Sequence, residues 1–274
     1  MSLAHPQGMK PPQFYLSGIV GQLPCAEMKP DPHILDYRRT SAEFAAAKPK
    51  IALLPLGATE QHGAHLPCGT DTFQVSHLAD EIARAYPETV WRLPTIPITV
   101  SHMHRGSPGT VWLSNETLSA VVKDVVLSLR HEGITKVVIL NGHGGNFVVR
   151  PIIQDLNRDY DDLRVILLEA SLGEKVFGEP AGSIHSGESE TSRMLHIAPE
   201  LVKMELAVNT DVPYAQTFLL YAPISQLEPS GVWGHAKEGT AEKGRRYHEL
   251  YIPAAVETIR KTFAALERVR PSQT

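Results

Sequence analysis

Ile51-Ala52-Leu53-Leu54-Pro55-Leu56-Gly57-Ala58-Thr59-Glu60-Gln61-His62-Gly63-Ala64-His65-Leu66-Pro67-Cys68-Gly69-Thr70-Asp71 starts as an apolar run and ends in a dense set of metal-capable side chains. Ile51–Leu56, between Lys50 and Gly57, has the length and composition of a buried strand. Open α/β sheets place their sites just past the ends of such strands. Glu60, His62, His65 and Asp71 follow within a dozen residues, a mixture of ligands that suits zinc or manganese. Glu60 and His62 are two apart, so an extended segment puts both on one face. Asp71 arrives after a loop containing Gly63, Pro67 and Gly69. A carboxylate on such a loop can bridge two ions, which in two-metal hydrolytic sites stand ~3.5–4 Å apart. Thr70-Asp71 also precedes a helix, so capping competes for Asp71 alone. His65 is open between ligand, orienting group and proton carrier.

The flanking chain repeats the strand–helix alternation. Phe73–Ala85 has helical spacing and stops before Pro87. Val90–Val100 is strand-like, but Pro94 and Pro97 restrict it to an edge or to two short pieces. Ser114 or Asn115 caps a helix that runs to about Glu132, with Gly133 just past its end. Lys136–Leu140 reads as a second buried strand, Phe147–Asn157 as a helix and Leu163–Glu169 as a third strand. Ser189–His196 is helical, and Thr240–Val269 is a long terminal helix interrupted at Pro253. This order predicts a parallel sheet with helices on both faces, in a single domain over residues 1–274. The proline-rich first 35 residues read as an irregular arm with a short strand near Tyr15–Val20.

Asn141-Gly142-His143-Gly144-Gly145-Asn146 follows the Lys136–Leu140 strand, so His143 projects from a strand end as the Glu60–Asp71 segment does. Gly144 and Gly145 permit close approach of a ligand, and a phosphate cradle competes for this loop. His185-Ser186-Gly187-Glu188-Ser189-Glu190-Thr191-Ser192 opens a helix. Capping and the helix dipole explain its acidic pair equally well. The functional reading gives one glutamate to a metal and proton transfer to His185. Ser101, His102 and His104 lie in a loop before Pro108-Gly109, either lining a substrate cavity or as plain loop residues. Cys68 reads as a small buried thiol, and Trp112 and Trp233 as packing residues.

The 274 residues are 42% apolar and 20% charged, with a formal net charge of −4. That is ordinary for a globular protein able to form a core. No basic stripe argues for nucleic acid, and no apolar run approaches the ~20 residues of a membrane span. Cys25 and Cys68 are too few for a disulfide framework and fit a reducing, cytoplasmic setting.

Taken in order, Gly57–Asp71, Pro108-Gly109-Thr110, Asn141–Asn146 and His185–Ser192, with the weaker Gly231-Val232-Trp233-Gly234 and Ala241-Glu242-Lys243-Gly244, resemble the creatininase family of metal-dependent amidohydrolases. The resemblance implies a three-layer α/β/α sandwich with a mainly parallel sheet, two divalent ions per chain (zinc, manganese or iron) and a homohexamer. It implies metal ligands at Glu60, His62, Asp71 and His143, with Asp71 bridging, and Glu190 as the remaining carboxylate. In creatininase a metal-binding glutamate lies two residues after the strand-end histidine, where this chain has Gly145. The family spans creatinine ring opening, deformylation of a ribosylaminopyrimidine phosphate, cleavage of a small peptide precursor, and C–C hydrolysis of a cyclic polyol ketone. Creatininase also carries tryptophans on the loop before its counterpart of His185–Ser192, whereas Phe177–Ile184 here has none.

The expected reaction is metal-assisted hydrolysis of a cyclic amide or other non-peptide C–N bond in a small molecule. Metal binding lowers the pKa of a bridging water to roughly 7, and the resulting hydroxide attacks the carbonyl. N–H groups near Gly144 and Gly145 assist the oxyanion, His185 gives a proton to the leaving group, and Glu188 orients His185. The C–C hydrolase, deformylase and peptidase readings are the alternatives.

Overall fold

Five strands, three of them rich in Leu, Ile and Val, pair in parallel in the computed structural model, which describes residues 30–170, 176–178, 180 and 182–269. They are β1 (Leu35–Asp36), β2 (Ile51–Leu56), β3 (Val90–Arg92), β4 (Lys136–Asn141) and β5 (Arg164–Glu169), in the spatial order β1-β3-β2-β4-β5. All six residues of β2 are buried, as its continuous apolar run requires. The possible strand at Tyr15–Val20 and nearly all of the proline-rich arm lie outside the described residues; Leu35, at the arm's end, already belongs to β1.

Helices cover both faces. The short α1 (Ser41–Ala47) precedes β2. One face carries α2 (Thr70–Ala85), α5 (Glu188–Ile197) and α7 (Ala241–Val269), and α3 (Asn115–His131) and α4 (Val149–Asp159) cover the other. α6 (Ile224–Leu227) is a single turn in the loops above the sheet. On α2, Val75, Leu78, Ala79 and Ile82 are buried, the i, i+3, i+4, i+7 stripe of a core-facing helix. On α3, Leu118, Val122, Val126 and Leu129 do the same. Each fully buried aliphatic side chain of this kind contributes about 1.5–3 kcal/mol. Ser114 Oγ accepts the Thr117 N–H at 3.1 Å, and Gly133 leaves α3 with φ of 78°, a conformation that favours glycine.

Two expectations are corrected, and the alternatives at Val90–Val100 are decided in favour of two short pieces. α2 starts at Thr70 rather than Phe73, with Gly69 as its cap, so Asp71 lies in the first turn instead of capping it. Val90–Val100 is broken by its prolines into β3 and an isolated pairing of Ile96 with Leu56, and β1 covers the side of β3 away from β2. α7 runs unbroken through Pro253. A proline forfeits one backbone bond, but Tyr251, Ala255, Ile259 and Phe263 are packed in the core and hold the helix on either side. The chain runs from β2 by way of α2 to β3, then crosses by α3 to β4 on the opposite side of β2. That reversal leaves a crevice at the carboxyl ends of β2 and β4, the general ligand position of open α/β sheets.

Candidate metal centre

Three chain segments enter this crevice. The first leaves β2 at Gly57, where a Cβ would strike the backbone and hydroxyl of Thr72 on α2. Gln61 N–H then donates to Thr110 Oγ1 at 3.0 Å, fixing the backbone between Glu60 and His62. The second leaves β4 at Asn141, whose amide donates to Glu169 Oε2 at 2.9 Å and whose carbonyl oxygen accepts from Asn146 Nδ2 at 3.1 Å. These bonds brace the turn that carries His143. The third is the first turn of α5, preceded by Ser186 in the left-handed region at φ 55°. Its Glu190 accepts the Ser186 N–H at 2.6 Å.

Five side chains expected as ligands converge. Glu60, Asp71 and His143 form one group, and His62, Asp71 and Glu190 another, each with its donor atoms within 4.8 Å of one another. Asp71 belongs to both: Oδ1 lies 3.4 Å from His62 Nε2 and Oδ2 lies 3.1 Å from His143 Nδ1. His62 Nδ1 is 3.0 Å from the Glu60 carbonyl and His143 Nε2 is 2.9 Å from that of Val100. Donation there leaves the opposite nitrogen of each ring as a lone pair, the arrangement found behind metal-bound histidines. Both carboxylate oxygens of Glu60, His62 Nε2 and Asp71 Oδ2 are buried without a hydrogen-bond partner. Each such atom costs about 1–3 kcal/mol, and four of them facing one region form a set that divalent cations would satisfy. The donor set therefore fits.

Its electrostatics follow from burial plus crowding. Burial raises the Glu60 carboxyl to about 7, with Asp71 adding to the rise. Burial opposes charge on His62, but Asp71 and Glu190 outweigh it and hold the ring up at about 10. His143 is likewise held at about 9 against burial, by Glu60 and Asp71. Burial disfavours the Asp71 anion, yet His62 and His143 keep its carboxyl well below the usual range. Burial drives His185 far down, with His62 and His104 adding to it. His104 is pushed down for the same reason. Histidines held up by carboxylates and histidines pushed down by burial thus stand side by side.

The remaining site residues divide. His102, His104, Gly144, Gly145 and His185 line a cavity of about 350 Å³ beside Asp71, His143 and Glu190. His104 Nε2 faces Glu60 Oε1 at 3.2 Å. Ser101 is fully buried and does not line the cavity. A Cβ at Gly145 would strike His143, the Val100 carbonyl and Met103, so no carboxylate fits where creatininase carries its glutamate. His185 Nε2 lies 2.8 Å from the Gln61 carbonyl, and its ring centroid is 4.3 Å from that of His62 and 4.4 Å from that of His104. The expected support of His185 by Glu188 is replaced: Glu188 pairs with Lys243 at 2.6 Å and accepts the Gly178 N–H at 2.9 Å. His65 bonds Thr191 Oγ1 through Nε2 at 3.0 Å, tying the first segment to α5. Burial lowers its pKa to about 4, which keeps it neutral. Trp233 is buried, but Trp112 is 45% exposed.

Gln61 escaped the sequence reading. Its amide nitrogen lies 3.0 Å from His104 Nδ1, 3.1 Å from His185 Nε2 and 3.1 Å from the Gly231 carbonyl, while its oxygen accepts the Gly63 N–H. The signal lay in alternation: between two residues that share one face, Gln61 had to point the other way. Thr217, Leu219, Leu220 and Ile224 also line the cavity, with no ligand-type chemistry to announce them.

The family model for creatininase, described as creatinine amidohydrolase, matches residues 37–259. The mycofactocin precursor peptide peptidase of Mycobacterium ulcerans is 31% identical over 235 residues, covering 80% of this chain and 88% of that protein. The 3-dehydro-scyllo-inosose hydrolase of Thermotoga maritima is 29% identical, with 78% and 79% covered. Among solved structures, a putative creatinine amidohydrolase from Bacteroides fragilis superposes with a TM-score of 0.71 at 28% identity, over 85% of this chain and 97% of that one. A creatininase described with manganese has the same TM-score at 21% identity, covering 87% of this chain and all of that one, a likeness of fold. With its parallel sheet, its ordered motifs and a match that spans most of its length, the chain belongs to the creatininase family of hydrolases.

Proposed function

We propose that this hydrolase cleaves an amide-type C–N bond of a small molecule, opening a cyclic amide or a comparable non-peptide bond, with two divalent ions. The observation that carries the reading is the meeting of two ligand groups at Asp71, with unpaired buried donor atoms facing the shared region. Glu60, Asp71 and His143 would hold one ion, and His62, Asp71 and Glu190 the other, as zinc, manganese or iron. Bound there, such a pair supplies a water that is nucleophilic near neutral pH and a Lewis acid for the carbonyl oxygen.

The chain's own residues do the rest. The carbonyls of Glu60 and Val100 hold the two metal-facing histidines in one orientation. His104 accepts from Gln61 at Nδ1 and turns Nε2–H toward Glu60. His185, neutral and with Nε2–H directed at the Gln61 carbonyl, keeps a lone pair at Nδ1. That atom takes up a proton and returns it to the leaving nitrogen, a contribution of ~10²–10⁴-fold. Backbone N–H groups at Gly144 and Gly145, on the cavity wall, meet the oxygen that becomes negative. Lys243 holds Glu188 at the start of α5, so Glu188 supports the helix that carries Glu190.

The cavity volume is within the usual range for small-molecule sites. A metal-loaded preparation tested on lactams, formamides, cyclic polyol ketones and short peptides separates the reactions. Turnover of a lactam or formamide supports the proposal; a fully loaded enzyme that attacks neither sinks it. Peptidase activity is the second reading. It is favoured by the apolar wall of Met103, Ile184, Leu219, Leu220 and Ile224, which would receive an apolar residue beside the scissile bond, and by the activity named for the Mycobacterium ulcerans relative. The family resemblance further leads us to expect a homo-oligomer, which light scattering of the purified chain would size.

A further inference from the structure

A second histidine cluster lies on the helices that deliver Asp71 and Glu190. His77 stands six residues after Asp71 on α2, and His196 six residues after Glu190 on α5. Six helical residues advance about 9 Å, roughly one and two-thirds turns, and there the two helices meet again with a histidine each. His248 on α7 completes the group. One ring nitrogen from each of the three lies within 4.8 Å of the others. The ring centroids of His77 and His196 are both 5.0 Å from that of His248.

Two features distinguish this trio from stacked surface histidines. His248 is only 4% exposed, and its Nε2 is buried without a hydrogen-bond partner. Its other nitrogen, Nδ1, bonds Glu81 Oε2 at 2.7 Å. A carboxylate that takes the Nδ1–H and leaves Nε2 bare is the support commonly found behind a metal-bound histidine. Nitrogens bound to one tetrahedral zinc stand about 3.3 Å apart, so side-chain adjustment of an ångström or so closes the trio on an ion. The neighbouring cations are already engaged: Arg84 with Asp31 at 2.7 Å, and Arg245 with Glu242 and Glu249. A surface cavity bordered by Glu81, His196 and His248 gives access.

We propose that His77, His196 and His248 bind one divalent transition-metal ion of the zinc class, with its fourth position open to that cavity. Three imidazoles select zinc, copper, nickel or cobalt over calcium or magnesium. The ion ties α2, α5 and α7 together behind the crevice, independently of what the first centre binds.

The full-length chain, stripped with chelator and dialysed against zinc, tests the site by difference. Wild type is expected to retain one more zinc per chain than His77→Ala/His196→Ala, and zinc is expected to raise the melting temperature of wild type more than that of the double variant. Because only the difference counts, occupancy of the Asp71 centre does not affect the reading. Equal stoichiometry in the two proteins overturns the proposal. Should the double variant fold poorly, Glu81→Gln serves instead: loss of its support weakens zinc binding ~10–100-fold, and unchanged affinity counts against the site. Cobalt gives a spectroscopic check. A tetrahedral visible band present in wild type and missing from His77→Ala/His196→Ala supports three-nitrogen ligation, whereas identical spectra refute it.

Discussion

The Asp71 end and the His77 end of α2 gather opposite kinds of donor. At the first, the carboxylates of Glu60, Asp71 and Glu190 outnumber His62 and His143, and two three-residue groups share one oxygen-bearing side chain. At the second, three imidazoles meet with a single carboxylate, Glu81, standing behind His248. The first lies at the strand ends, on the cavity of about 350 Å³; the second lies between helices and reaches a different surface. A shared carboxylate allows two ions to sit together. Three imidazoles around one point suit a single borderline ion. On the two proposals the same helix pair carries a reactive centre and a fastening, which chemistry separates more sharply than position does.

Asp71→Asn strikes the comparison hardest. It removes the shared charge, and turnover on a responsive substrate is expected to fall by about 10³-fold or more, the several kcal/mol that metal catalysis supplies. Metal analysis should show ions lost from the first centre while the zinc at His77, His196 and His248 stays. A variant with full turnover and both first-centre ions would break the bridging assignment. His185→Ala is next, at ~10²–10⁴-fold in kcat with first-centre metal content unchanged; full turnover would remove His185 from proton transfer. Gly145→Ala is expected to cost about 1–3 kcal/mol of stability through overpacking against His143 and Met103. Denaturant titration checks that, and an unaltered midpoint would mean the turn yields freely.

The smallest effect is a contrast in pH response of the metal-free chain. His62 and His143 are held up, at about 10 and about 9, above the unfolded value near 6.5. Their contribution is complete below pH ~6.5 and is lost as pH rises through those folded values. Glu60, raised to about 7, adds a loss of the same sign between its unfolded value and that pH. His77 and His196 are shifted down, chiefly by burial. Their contribution is present above ~6.5 and is lost as pH falls through their lowered values. Chelator-treated protein should therefore lose melting temperature from pH 7 to 10 more steeply than metal-loaded protein, whose ligand histidines are already neutral. His77→Ala/His196→Ala should soften the metal-free decline on the acid side alone. Matching alkaline slopes with and without metal would contradict the charge assignment at His62 and His143.

The first cluster of donor side chains was legible because its residues are dense in sequence. Glu60 and His62 lie in the loop after a continuous apolar strand, Asp71 lies in the first helical turn beyond it, and His143 follows an equally plain strand at Lys136–Asn141. Periodicity likewise exposed α2 and α3. What escaped depends on packing between distant elements. Gln61 contacts His104, His185 and Gly231 across the fold, and nothing in its neighbours' identity announces this. Glu188 could not be placed without Lys243, which arrives from α7. Pro253 misled because propensity is local, whereas the helix around it is held by the core. The trio of His77, His196 and His248 is invisible to motif reading, since each stands alone in its own helix.

α7 braces much that lies behind the crevice. Lys243 secures Glu188, Tyr251 donates to the Glu169 carbonyl at 2.8 Å, Tyr247 donates to that of Ala170, and His248 reaches Glu81. A side chain at Gly244 would collide with the backbone of Ser192 on α5. Yet α7 follows every proposed ligand of the first centre in the chain. On the ribosome, Glu60, His62, Asp71, His143 and Glu190 emerge before the helix that fixes their supports, with synthesis proceeding at ~5–20 residues per second. The donors are therefore made before the helix that pairs with Glu188, Glu169, Ala170 and Glu81.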